Sequence, residues 1–226
     1  MNRDEFLTKV RDAAAAGRSY RIHAKSLPHS AGRADEATDV LARFVREAGN
    51  NGGRVVRCEN WQQARDAIRQ LFHQYEPRSA LCWRHPTLDR LQLATLLGDC
   101  GVERIDAETL GGLSRESQRT KMLSADVGIT SCTWAVAETG SLLHAHGLTN
   151  ERTASLVPPV YFAVVERSQI VHDLFDAVQE LGAKGAAGLP SNATFISGPS
   201  KTGDIETKLV TGVHGPGKWH VIVVDV

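Results

Sequence analysis

The sequence predicts an α/β fold around a mainly parallel sheet. Two observations carry that expectation. From about Asp35 onward, short apolar strand patterns alternate with helical patterns of about a dozen residues, the rhythm of βαβ units. Two runs, Val160–Val165 and Val221–Val224, are continuously apolar, as expected of strands buried on both faces.

Taken in order, Arg3–Ala16 reads as a helix, with Phe6, Leu7, Val10, Ala13 and Ala14 on one face and Gly17 at its stop. A connection of roughly fifteen residues with Pro28 and Gly32 follows, long for the inside of a compact domain. Residues 1–32 therefore read as an N-terminal helical arm with its linker, and residues 33–226 as the α/β domain. Val40, Leu41, Phe44, Val45 and Ala48 form the next helical stripe, ended by Gly49. Asn51-Gly52-Gly53 is turn material, and Arg54–Cys58 a short strand. Asn60 with Gln63 resembles a capping box, opening a helix that carries Trp61, Ala64, Ile68, Leu71, Phe72 and Tyr75 and stops before Pro77. Ser79–Trp83 is a strand, Pro86–Leu97 a helix with proline in its first turn, and Gly101–Ile105 a strand. Val127–Ile129, Trp134–Ala137 and Ser141–His144 are three short strands in succession, which suggests a hairpin or an edge extension. After Val160–Val165, the residues Ile170, Val171, Leu174, Ala177, Val178 and Leu181 make the cleanest helical stripe, stopped by Gly182. Ala193–Ser197 reads as a strand, Thr202–Thr211 as a helix and Trp219–Val224 as the last strand.

Composition narrows the function classes. The 226 residues carry 26 Lys+Arg against 26 Asp+Glu, so no broad surface field draws nucleic acid or an anionic membrane. Arg18, Arg21 and Lys25, with Tyr20 and His23 between them, read as a solvated connection. With 42% hydrophobic residues the chain supports a core, and its apolar runs fall far short of the ~18 residues of a membrane span. The charged start Met-Asn-Arg-Asp-Glu is unlike a signal peptide, so a cytoplasmic location is expected. Cys58, Cys82, Cys100 and Cys132 are scattered singly, without the spacing of a zinc ribbon or an iron–sulfur site.

Three segments could carry chemistry. Ser197-Gly198-Pro199-Ser200-Lys201-Thr202-Gly203-Asp204 stands between a predicted strand and a predicted helix. Small residues, helix-end N–H groups and the Lys201 charge suit a phosphate or carboxylate, with Gly198, Ser200, Lys201 and Thr202 as ligand-binding candidates. Plain helix capping by Ser200 or Thr202 is the alternative. Gly212-Val213-His214-Gly215-Pro216-Gly217 holds a histidine on a turn, able to act as acid, base or ligand near neutral pH. In Ala137-Glu138-Thr139-Gly140-Ser141, Glu138 ends a strand beside a glycine that permits close approach, a place for a nucleophile or general base. A hydrogen-bonded hairpin carboxylate is the plainer reading. Arg152 is a candidate partner for a substrate anion. His144 and His146 point to one side of a strand, but two ligands, even with Asp126 or Glu151 nearby, are too few to assign a metal. Glu138 and Lys201 are expected to share a pocket at strand ends, with His214 reaching over from the opposite connection.

Five ordered segments resemble the lactate-utilisation (LUD) domain, and within it the lactate utilisation protein C, or YkgG-type, family. They are Asp126–Thr130, Ala137–Ser141, Leu156-x-Pro158-Pro159-Val160-x-x-Ala163-Val164-Val165, Ser197–Glu206 with its Gly198-Pro199-Ser200-Lys201-Thr202 core, and Gly212–Pro216. The resemblance implies a Rossmann-like fold of the NagB/RpiA/CoA-transferase type. It also implies a part in an iron–sulfur-dependent oxidation of L-lactate to pyruvate, alongside an Fe–S cluster protein and a Cys-rich protein. It supplies no catalytic residue and no cofactor. The pattern at Glu138 has a looser similarity to the CoA-transferase nucleophile. The expected function is thus a lactate-oxidation component binding a small anionic ligand or cofactor, with Glu138 and His214 as catalytic candidates and Thr139, Gly140 and Arg152 among the ligand-binding ones. A non-catalytic docking or assembly subunit and a stand-alone CoA-transferase-like enzyme are the alternatives.

Overall fold

The computed structural model describes residues 2–17, 39–147, 149–183, 185–205 and 208–226. The chain divides into two units after Arg33. The described part of the first is helix α1 (Arg3–Gly17), whose start is closed by Asn2 and Glu5, each side chain accepting the other's backbone N–H. The connection expected up to Gly32, with Arg18, Arg21 and Lys25, lies outside the described residues.

The second unit is built on six parallel strands: β1 (Arg54–Cys58), β2 (Ser79–Cys82), β3 (Glu103–Ile105), β4 (Val127–Thr130), β7 (Val160–Glu166) and β12 (Lys218–Val224), in the order β1-β12-β7-β4-β2-β3. The apolar runs fill the two central strands, as their sequence requires. Alternation along them feeds two cores: Phe162, Val164, Ile222 and Val224 face one way, and Tyr161, Ala163, Val165, Trp219, Val221 and Val223 the other. The first core is covered by α3 (Trp61–Tyr75) and by the short helices α4 (Pro86–Arg90) and α5 (Leu93–Asp99). The second is covered by α2 (Val40–Asn50) and by a separate four-stranded sheet.

That second sheet accounts for the run of short strands. β5 (Trp134–Val136) and β6 (Ser141–His146) form the expected hairpin, β8 (Ile170–Val171) lies parallel to β5, and β9 (Asn192–Ile196) lies antiparallel to β6. Its outer face packs on α9 (Leu174–Gly182) through Val136, Leu143 and Ala177.

Some elements differ from their sequence patterns. Pro86–Leu97 is two helices rather than one, because Gln92 is left-handed (φ 59°) between them. Ile170 and Val171 are strand, not helix, since the Asp173 side chain accepts the Asp176 N–H and so starts α9 there. Thr202–Thr211 is not a helix but the hairpin β10 (Lys201–Ile205) with β11 (Lys208–Thr211). Thr202, Ile205, Val210 and Thr211 are β-branched and favour the extended backbone. Two helices, α6 (Ala107–Leu110) and α7 (Arg115–Leu123), have no apolar stripe to betray them; α7 buries no residue at all. The four-residue α8 (Thr153–Leu156) leads into β7 and lies tightly on β4, where a Cβ on Gly128 would stand 1.8 Å from the Ala154 carbonyl oxygen.

Candidate functional site: a cleft at the amino ends of the central strands

The loop before β10 and the loop before β12 are tied together by backbone. The Ser200 N–H donates to the Pro216 carbonyl at 2.8 Å, and the Gly212 N–H donates to the Ser200 carbonyl at 2.9 Å. Gly212 holds a positive φ of 83°, and a Cβ there would meet Gly217 at 2.9 Å, which explains why glycine stands at both ends of the turn. This clamp brings Lys201 and His214 to one cleft of about 360 Å³. Hydroxyls of Ser155, Thr194, Ser197 and Ser200 line it, with Leu156, Phe195, Pro216 and Trp219 as apolar wall. Lys201 is held in place by donating to the Asn51 carbonyl at 2.8 Å. Gly198 (φ 110°) makes that approach feasible, since a Cβ would lie 2.6 Å from the same carbonyl oxygen. The arrangement offers a fixed cation, a titratable ring and several hydroxyls to an anionic ligand.

The helix end invoked for the Lys201 segment is absent, because a hairpin follows it. Lys201 rather than a helix N-terminus supplies the charge there. Thr202 sits on β10 opposite Val210, outside the lining of the cleft. Glu138, too, does not line it. Its backbone N–H donates to His172, and its carboxylate accepts the Leu174 N–H at 3.4 Å, next to the start of α9. The neighbouring turn is structural: Gly140 (φ 62°) lies on α2, where a Cβ would be 2.2 Å from the Ala48 nitrogen, and the Asn51 side chain donates to the Thr139 carbonyl. Ser141 still reaches the cleft's edge through a 2.5 Å hydroxyl contact with Ser197. The strand-end argument that joined Glu138 to Lys201 fails because the strands that precede them, β5 and β9, belong to the second, mixed sheet and not to the central parallel one, with Lys201 itself on the separate hairpin. Arg152 is exposed, just ahead of α8 and outside the cleft lining.

His144 and His146 do share a face, turned inward onto Trp83 and Tyr161. Proton bookkeeping orders the network. The Thr130 hydroxyl donates to the Ser131 carbonyl, so it accepts from Tyr161, which in turn accepts from His144 Nε2 at 3.2 Å. His144 is thereby the Nε2–H tautomer, and its buried Nδ1 has no partner among the described residues. Burial, then the neighbouring His146 and His85, hold its pKa down at about 3. Among the described residues no group of three or more His, Cys, Asp or Glu side chains is placed to hold a metal ion.

Sequence reasoning missed the carboxyl ends of the central strands. There the buried Glu166 accepts from Thr87 at 2.5 Å and pairs with Arg90 at 3.0 Å, while Gln169 bridges Ser131 and the Cys132 carbonyl. Where the chain leaves β2 for β3 and β4 for β7, the place of the ordinary crevice, the next residues Trp83 and Ser131 are both buried. The one sequence signal was Glu166 itself, a carboxylate ending a fully apolar strand.

Residues 41–224 match the LUD domain family model. Among curated proteins, lactate utilization protein C of Halalkalibacterium halodurans is 32% identical over 193 residues, covering 84% of this chain and 82% of that one. The protein of the same name from Shouchella clausii is 29% identical over 231 residues, covering 99% and 98%. A crystal structure of a DUF162 family protein from Deinococcus radiodurans shares the fold, with a TM-score of 0.59 at 24% identity over 82% of this chain and 96% of that one.

Proposed function

The chain belongs to the LUD domain family, and we propose that it serves in lactate utilisation as the component that binds a small anionic ligand, within an iron–sulfur-dependent system oxidising L-lactate to pyruvate. The relatives named lactate utilization protein C support the metabolic part. One observation carries the binding part: Lys201 and His214 come to the same hydroxyl-lined cleft by way of two clamped loops. Lys201 pairs with the ligand's anionic group, Ser155, Ser197 and Ser200 offer hydrogen bonds, and His214 exchanges a proton with a bound hydroxyl. Of the four free cysteines, Cys58, Cys82 and Cys132 are buried, and burial pushes the Cys82 thiol up to about 12. Such thiols resist becoming cluster ligands, which supports placing the clusters on Fe–S and Cys-rich partner chains.

The test is lactate-dependent dye reduction by the reconstituted components. Omitting this chain, or supplying Lys201→Ala, should abolish or strongly reduce the rate. An unchanged rate in both arms overturns the proposal. Glu138→Gln tests the nucleophile and general-base roles for that carboxylate, and full activity in it removes both. A docking subunit is the second reading, favoured by the outer face of α9, where Phe175 is 67% and Val178 51% exposed. In that case omission of the chain stops dye reduction, whereas Lys201→Ala and His214→Gln leave it intact.

A further inference from the structure

Beside the Lys201–His214 cleft lies a second one of about 280 Å³, and the two share Pro199, Lys201 and Trp219. Its other cations are Arg54, the first residue of β1, and Lys218, the first residue of the neighbouring β12, two residues before the His220 that stands opposite Arg54. Among the described residues, none of Arg54, Lys201 and Lys218 has an ion-pair partner. Elsewhere in the unit Arg57, Arg69, Arg84, Arg90, Arg104 and Arg167 pair with carboxylates and others, among the described residues, stand singly on the surface; what sets these three cations apart is that they meet on one cleft. Three unpaired cations on one small cleft form a concentrated positive field. Its effect reaches the buried His220 behind them, whose pKa is pushed down to about 4 by burial first and by Arg54 and Lys218 next.

Both clefts are lined by Trp219, only 2% exposed, whose indole N–H has no partner among the described residues. Gly53 receives the opposite edge of the ring: a Cβ there would lie 2.8 Å from Trp219 Cε3. The site is therefore built rather than incidental. Gly52 (φ 95°) and Gly198 (φ 110°) press two loops together so that Lys201 stands at the junction, with Trp219 lining both clefts.

We propose that the joined clefts bind an organic diphosphate of nucleotide type, with its phosphates on Arg54, Lys201 and Lys218 and its less polar body against Leu156, Phe195 and Trp219. Three formal positive charges match a diphosphate, whereas a lone carboxylate would use one of them. Two adjoining clefts of about 280 and 360 Å³ also exceed what a three-carbon acid fills, and suit a drug-sized ligand. The inference rests on the anion-binding part of the proposed function and extends it from a small anion to a phosphorylated carrier.

Titration calorimetry of the full chain with ADP, adenosine, pyrophosphate and L-lactate tests it. ADP should bind more tightly than adenosine and than pyrophosphate. Arg54→Ala and Lys218→Ala should each weaken ADP binding by about tenfold or more, the scale of one charged contact, and Lys218→Glu should weaken it further, while circular dichroism melts confirm that each variant is folded. Adenosine binding as well as ADP, no binding of ADP, or ADP binding indifferent to Arg54 and Lys218 each overturns the proposal. Lactate binding that depends on Lys201 alone overturns it too, yet leaves the lactate-utilisation reading standing. That reading falls separately, by dye reduction that does not need this chain.

Discussion

Glu166 closes β7 at the carboxyl end of the central sheet, 5% exposed and held by Thr87 and Arg90. Lys218 opens the neighbouring strand β12 at the amino end, exposed and without an ion-pair partner among the described residues. In open parallel sheets the carboxyl ends ordinarily hold the ligand. In this chain the polar groups at that end are committed to one another, which is what burial demands of them, and the amino end keeps charge uncommitted. The difference teaches where to look for a ligand: at charges that the fold itself leaves unused.

Substitutions can break or sharpen that contrast. The largest effect should come from Glu166→Ala, which strands the buried Thr87 hydroxyl and releases Arg90; urea titration should show a loss of about 3 kcal/mol. A loss within experimental error would show that the carboxyl end is not held by this cluster and reopen it as a site. Next is His144, whose folded pKa of about 3 lies below the ordinary histidine value. Its neutral form is favoured in the fold, so its contribution is complete above about pH 6.5 and is lost as pH falls from there toward the folded value. Stability of the native chain should therefore fall with acid at up to about 1.4 kcal/mol per pH unit from this group. His144→Phe should lower the slope between about pH 6 and pH 4 by the share of one group, leaving those of His220, held at about 4, and of His146 and His85, which burial also lowers; an unchanged slope would place the proton uptake elsewhere.

At the amino end the same kind of change should be nearly silent. Lys201→Ala and Lys218→Ala should each keep the melting temperature within ~2 °C of the native value, because exposed charges contribute little to stability. A fall of several degrees would make these residues structural and erase the contrast. The smallest effect should come from removing residues 1–27, since the second unit has its own two-faced core; a melt that loses cooperativity would show that α1 belongs to it.

Much of the sheet was legible because burial on both faces leaves an unbroken apolar run, and β7 and β12 have one each. The hairpin β5–β6 was legible from closely spaced short strands. The allocation of strands to two sheets was not, because Ala193–Ser197 reads equally well as a parallel or an antiparallel strand, and only pairing with β6 decides it. Over Thr202–Thr211 the strand–helix alternation predicts a helix, whereas the β-branched residues there favour the hairpin that forms. At the site, Lys201 and His214 could be picked out because glycine and proline around them mark turns built for close approach. Glu138 meets the same rule, but its glycine serves contact with α2. Arg54 and Lys218 gave no signal: a basic residue at a strand start is ordinary until the register of β1 with β12 sets two of them beside Lys201.

Trp219 has an optical consequence. The chain has four tryptophans, at positions 61, 83, 134 and 219, and among these Trp219 alone lines either of the two joined clefts. A chain with Trp61, Trp83 and Trp134 replaced by phenylalanine would emit from that indole alone. A ligand settling against that indole would alter the local polarity and so the colour of its fluorescence, giving the protein a built-in gauge of occupancy that needs no label and no knowledge of the reaction.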